Sequence, residues 1–201
     1  MTERPILCSG SEVRAILSGR KTVTRRVYRP KMGYPKDDGE VTPTSSDHWI
    51  EWGPCPYGRA GDRLWVRETW QVVTGRQVGD LGAAVRYRDM EVKACQMPED
   101  RALPLCLTWD RWRPSIHMPR WASRLTLEVT GIRVERLQTI TEDGARAEGV
   151  WSEDVDLMEP SACRSAFRDL WDDTNGARPG ASWEANPWVW VVAFRRVRVA
   201  P

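Results

Sequence analysis

The chain is poor in lysine, histidine and phenylalanine. Its 201 residues hold four lysines (Lys21, Lys31, Lys36 and Lys93) beside 26 arginines, two histidines and two phenylalanines. No apolar run approaches the roughly 20 residues that span a bilayer as a helix, so no membrane partner is expected. The opening MTERPILCSG has neither the basic segment nor the long apolar stretch of a secretory signal, which makes a cytoplasmic location the expectation. The five cysteines (Cys8, Cys55, Cys95, Cys106, Cys163) are odd in number, scattered and without a CxxC pair. That pattern fits neither a disulfide framework nor a zinc signature. Cys55 and His117 are too few to make a metal site, and no compact carboxylate–histidine cluster suggests a metal-dependent ribonuclease. No metal, cofactor or protein partner is therefore expected. The net charge is only +2, so the whole-chain field does not mark a nucleic-acid binder.

The distribution of charge says more than its sum. Residues 14–30 carry Arg14, Arg20, Lys21, Arg25, Arg26 and Arg29. Residues 109–124 carry Arg111, Arg113, Arg120 and Arg124, interleaved with Trp109, Trp112, Trp121 and His117. Cations mixed with flat rings suit a phosphate backbone with unstacked bases. With 41% hydrophobic and 29% charged residues the chain is globular, and its length fits one domain over 1–201 with insertions at about 30–60 and 90–120. Most of the twelve tryptophans belong to a core or a barrel wall.

Periodicity predicts a short strand over 3–9 and a helix over 11–19, capped by Ser9 or Ser11 and ended by Gly19. KTVTRRV, rich in β-branched residues, reads as extended. Residues 30–62, dense in Pro, Gly, Ser and Asp, read as a long loop with a turn near His48–Trp52. DRLWVRETW (62–70) alternates as one strand, with Trp65 and Trp70 on opposite faces. Residues 82–93 are a further strand candidate, and 94–108 lack periodicity. SRLTLEVTGIRVERL gives the clearest strand signal, with a break expected at Gly131. Thr141 opens a short helix with an incomplete capping box, and Ser161–Trp171 a second one striped by Cys163, Ala166, Phe167 and Leu170. WVWVVAFRRVRV closes the chain as a buried strand. The fold class expected is α+β, a small β-barrel flanked by short helices, with the long loop and an inserted Trp/Arg-rich segment.

The octapeptide GRKTVTRR (19–26) places one of the rare lysines among arginines. Arginine keeps its proton in a protein, whereas a buried lysine can lose it. Crowding by Arg20, Arg25 and Arg26 would favour a neutral Lys21, able to take a proton from the hydroxyl of Thr24. A solvated basic turn accounts for the same residues. Lys21 and Thr24, three apart, can meet only where the backbone turns. Glu68, inside LWVRETW, is expected to pair with Arg25 or Arg26. Tyr87, Trp112 and Trp121 are candidates for base stacking, and His117 for phosphate contact or proton transfer.

In their order, GRKTVTRR, DRLWVRETW, ITEDGARAEGV and WVWVVAFRRV resemble the ASCH superfamily, which has a PUA-like β-barrel. Its signature is Gly-x-Lys-x-x-Glu-x-Arg. Gly19, Lys21 and Arg26 match, and Thr24 stands where the signature has Glu. The chain looks most like the longer ASCH proteins of phages and prophages, which carry segments similar to LWVRETW and WRPSIHMPRWASR. Thr24 in this position is similar to the small bacterial amidohydrolases that deacetylate N4-acetylcytidine, with Lys and Thr as catalytic residues and a Glu in a small helix. The resemblance implies Lys21, Thr24 and Glu148 as catalytic residues. It also implies an N4-acylated cytosine nucleoside, or a base in single-stranded nucleic acid, as partner. Arg25, Arg26, Trp65, Glu68, Tyr87, Arg113, His117, Arg120 and Trp121 are the candidate binding residues. Those enzymes are much shorter and lack the 30–60 loop and the Trp/Arg insertion. Other members of the superfamily are RNA-binding modules, so a non-catalytic reader of a modified or exposed base is the alternative.

Overall fold

The computed structural model describes residues 1–29, 54–74, 83–88, 92–94, 111–150 and 162–197. Its architecture is α+β. A five-stranded mixed sheet is built from β1 (Glu3–Leu7), β2 (Val23–Val27), β3 (Arg63–Arg67), β7 (Thr126–Arg136) and β8 (Trp188–Val197), in the order β1-β3-β7-β8-β2. A three-stranded sheet holds β4 (Trp70–Thr74), β5 (Ala83–Tyr87) and β6 (Val92–Ala94). Among the described residues three α-helices, α1 (Gly10–Leu17), α2 (Glu142–Ala147) and α3 (Ala162–Asn175), flank the large sheet. Among the described residues β1 and β2 are the edges of that sheet, and Arg26 of β2 reaches across to the Leu7 carbonyl at 2.7 Å. The expected turn at His48–Trp52, most of the 30–60 loop, residues 95–108, Trp109 and the start of the Ser161 helix lie outside the described residues.

The alternation in DRLWVRETW is interrupted in space. β3 stops at Arg67 and the chain turns through Glu68 and Thr69 into the second sheet, so Trp65 and Trp70 occupy different sheets, not two faces of one strand. The Gly131 break is a bulge. Val129 faces Phe194 and Gly131 faces Ala193, leaving Thr130 as the extra residue in an otherwise continuous 11-residue strand. The helix stripe also shifts: Cys163, Phe167 and Trp171 are buried, whereas Leu170 is exposed.

Two cores sit on opposite faces of the large sheet. Ile6, Ile16, Leu64, Val66, Leu127, Val192 and Phe194 belong to one. Leu137, Ile140, Phe167, Trp171, Val189 and Val191 belong to the other, against α2 and α3. Full burial of each such aliphatic side chain stabilises by about 1.5–3 kcal/mol. β2 shows the division within five residues. Thr24 and Arg26 pair with Val192 and Trp190 of the first core, while Val23 and Val27 pack on the second.

Candidate functional site

Local sequence builds both halves of the site. Ser9 caps α1 with a complete capping box: its hydroxyl accepts from the Glu12 amide (3.2 Å), and Glu12 Oε2 accepts from the Ser9 amide (2.8 Å). Gly19, at φ +76°, reverses the chain, and the amides of Arg20 and Lys21 both return to the Ala15 carbonyl. Lys21 thereby leaves the helix next to Glu148, with which it forms a single antiparallel bridge. Thr141 caps α2 by accepting from the Gly144 amide, and Glu148 caps the other end, followed by Gly149 at φ +83°. The Thr22 amide donates to the Ala147 carbonyl at 2.8 Å, which locks the two segments together.

At this junction Lys21 Nζ donates to Glu148 Oε2 at 2.6 Å and to the Glu148 carbonyl at 3.0 Å. Glu12 Oε1 lies 3.7 Å from the same ammonium and 3.3 Å from Arg26. Arg25 donates to Glu148 Oε1 at 3.2 Å, and its Nε and second terminal nitrogen grip Glu135 Oε1 at 3.2 and 2.7 Å. Arg133 in turn holds Glu135 Oε2 at 2.8 Å. Lys21, Thr24, Arg25 and Glu148 retain only 4%, 2%, 5% and 6% of their exposure, so these charges interact with little screening by water. The expected electrostatics of Lys21 are corrected here: its contacts are carboxylates, and Arg25 and Arg26 bind those same carboxylates.

The Thr24 hydroxyl is buried and has no hydrogen-bond partner. It stands one residue before Arg25, which holds Glu148, and two before Arg26, which holds Glu12. Burial pushes the Glu12 carboxyl up, but Arg26, Lys21 and the hydrogen bonds from Ser9 outweigh it and leave the group below its ordinary value. Cys8 is buried and feels the charges of Glu12, Arg26, Lys21 and Glu68. Burial, aided by the Glu12 carboxylate, pushes its thiol up to about 12, so it is an inert core residue.

The other candidates gather elsewhere. Glu68 is not paired with Arg25 or Arg26. It receives a buried bidentate pair from Arg124, at 2.9 and 2.8 Å, because the turn after β3 aims it at the segment preceding β7. The Arg124 guanidinium covers the Tyr87 ring at 4.1 Å, and the Tyr87 hydroxyl donates to the Ala122 carbonyl at 2.9 Å. Arg113 pairs by its backbone with Trp70 and lies over its ring, and Trp121 meets Trp70 edge-on at 5.7 Å. Trp65 is half-buried under Arg67, whose guanidinium also donates to the Ile116 carbonyl. Arg120 is exposed and paired with Glu3, His117 is exposed in a 3₁₀ turn, and Trp112 keeps 41% of its exposure. Thus Lys21, Arg25 and Glu148 converge, with Thr24 and Arg26 on the adjoining strand. Glu68, Tyr87, Arg113 and Trp121 form a second, structural-looking cluster.

Glu12 and Glu135 are the site residues that sequence reasoning missed. The cap expected at Ser9 or Ser11 is Ser9, and Glu12, its partner in the box, uses only one carboxylate oxygen in capping. Glu135 alternates with Val134 on β7 and carries no local signal. Among the described residues no group of three or more His, Cys, Asp or Glu could hold a metal ion, and no helix is long and apolar enough to cross a membrane.

No family model matches the chain, and no curated protein matches it. Among solved structures it is similar to the ASCH domain from Lactobacillus crispatus JV V101, at 11% identity and a TM-score of 0.38, over 97% of this chain and 79% of that one.

Proposed function

We propose that this chain is an amidohydrolase that removes the acyl group from N4-acylated cytosine, with Lys21, Thr24 and Glu148 as its catalytic residues. One observation carries the reading: the buried Lys21–Glu148 pair at 2.6 Å stands three residues along the chain from a buried threonine whose hydroxyl has no hydrogen-bond partner. An unsatisfied buried hydroxyl costs about 1–3 kcal/mol, a cost that a role as nucleophile would account for. The resemblance of GRKTVTRR to the deacetylating branch of the ASCH superfamily supplies the reaction class.

In this mechanism the Lys21 ammonium passes a proton to Glu148, and the freed amine takes the proton of the Thr24 hydroxyl. Thr24 Oγ1 attacks the acyl carbon, the carbon–N4 bond breaks, and Lys21 returns the proton to N4. Water then cleaves the acyl-threonine ester, releasing the acid and restoring the hydroxyl. Flanking nucleotides of a single strand would meet exposed Arg111, Trp112 and His117.

The test is incubation with N4-acetylcytidine, with cytidine and acetate followed by chromatography. Lys21→Arg keeps the charge but cannot act as a base, so its turnover falls at least about 10²-fold. Near-normal turnover in Lys21→Arg removes the base role. A second reading, a non-catalytic reader of a modified base, is favoured by the engagement of the Lys21 ammonium with two Glu148 oxygens and Glu12. Tight binding of the nucleoside without turnover selects it.

A further inference from the structure

We infer that Glu12 is a positioning residue of the Lys21–Glu148 pair, holding the counter-charge of Lys21 and Arg26 while a proton moves between Lys21 and Glu148. This rests on the amidohydrolase reading above. A capping box needs one oxygen of its acid, and Glu12 gives Oε2 to the Ser9 amide. Oε1 is turned to the other side, 3.7 Å from Lys21 and 3.3 Å from Arg26. The result is a series of alternating charges: Arg26, Glu12, Lys21, Glu148, Arg25, Glu135.

The series matters when the central pair changes. Transfer of a proton over the 2.6 Å contact breaks one N–H bond of Lys21 and forms one O–H bond on Glu148 Oε2. Both groups become neutral. Arg26–Glu12 and Arg25–Glu135 remain as matched pairs, so no buried charge is orphaned at any stage, which would otherwise be strongly unfavourable. Without Glu12, Arg26 loses its carboxylate, and Lys21 has only Glu148 as a charged partner. The titratable and charged groups facing Glu12 are Lys21 and Arg26, with the Cys8 thiol beside them.

Glu12→Gln separates this role from the cap, because glutamine serves equally at the third position of a capping box. The expected result is a helix cap that persists with a melting temperature lowered only by the lost ion pairs, kcat on N4-acetylcytidine lowered at least about 10-fold, and KM changed less than about 2-fold. Ser9→Ala is the converse variant. It weakens the helix cap, keeps the Glu12 charge, and is expected to lower the melting temperature while kcat stays within about 2-fold. A Glu12→Gln enzyme with unchanged kcat, or a Ser9→Ala enzyme that loses as much kcat as Glu12→Gln, overturns the inference. If the wild type does not hydrolyse N4-acetylcytidine, the amidohydrolase reading fails by itself, and acetic anhydride labelling of Lys21 then decides on Glu12. With only four lysines, the Lys21 peptide is readily followed by mass spectrometry. Labelling at least about 5-fold faster in Glu12→Gln supports the positioning role, because a held ammonium has lost one of its two carboxylates. An equal rate overturns it.

Discussion

Replacing Gly149 with alanine offers a direct test of how tightly the site is framed. The residue follows Glu148 at φ +83°, and an added Cβ would lie 2.8 Å from Ala15 Cβ and 2.9 Å from Lys21 Cβ. Both neighbours are fixed to backbone and cannot swing aside. The left-handed backbone costs an alanine about 1–2 kcal/mol, and forcing a methyl into filled space costs about 1–3 kcal/mol more. The expected total is about 2–5 kcal/mol. Gly61→Ala isolates the first part, since Gly61 has φ +88° and nothing within 4 Å of its Cβ position. In urea, at a slope of about 2 kcal/mol/M, the Gly149 variant should therefore melt about 0.5–1.5 M below the Gly61 variant. Turnover adds a second reading. Displacing Lys21 by a fraction of an ångström disturbs the 2.6 Å contact with Glu148, and a misplacement of order 1 Å can cost about 10²-fold. Equal urea midpoints for the two variants, together with full activity of Gly149→Ala, would refute the close packing of Lys21 against this turn.

Thr24→Val deletes an unpartnered hydroxyl at nearly constant shape. Urea melts should show unchanged stability or a gain of up to about 1 kcal/mol, while turnover disappears and Thr24→Ser retains part of it. Arg124→Ala breaks the buried bidentate pair with Glu68 and uncovers Tyr87, and should lose up to about 3–5 kcal/mol in the same assay. The depressed Glu12 carboxyl stabilises the fold at pH values above its ordinary 4.5 and loses that contribution as pH falls through its lower folded value. Urea midpoints measured as a function of pH should accordingly fall less steeply below about pH 4.5 in Glu12→Gln than in the wild type.

Strands with one buried face were legible because alternation is a local property. β3 follows it residue by residue, β8 is instead legible as a continuous apolar run because it is buried on both faces, and the cap at Ser9 is equally local. The corner at Glu68–Thr69 was not, since Trp70 continues the alternation of β3 although it opens a strand of another sheet. Arg124 as the partner of Glu68 was hidden for the same reason: the pair spans 56 residues and depends on that corner. In the site, Lys21 stood out by its rarity, and Glu148 was reached through resemblance to a family. Glu12 and Glu135 contribute through the far side of groups whose near side has an ordinary role, which no spacing rule reveals.

The ladder between β2 and β8 also fixes when the site can exist. Thr24 faces Val192, a separation of 192 − 24 = 168 residues. On a ribosome adding about 5–20 residues per second, β2 waits roughly ten to thirty seconds before its neighbour is made. Until then the strand carrying Thr24, Arg25 and Arg26 has no sheet to join, and β7 lacks the partner that runs along its whole length. Nascent chains thus lack the β2–β8 ladder during most of their synthesis, and a transcript or chain cut short before Trp188 yields a product with an unpaired, arginine-rich strand for the quality-control machinery to meet.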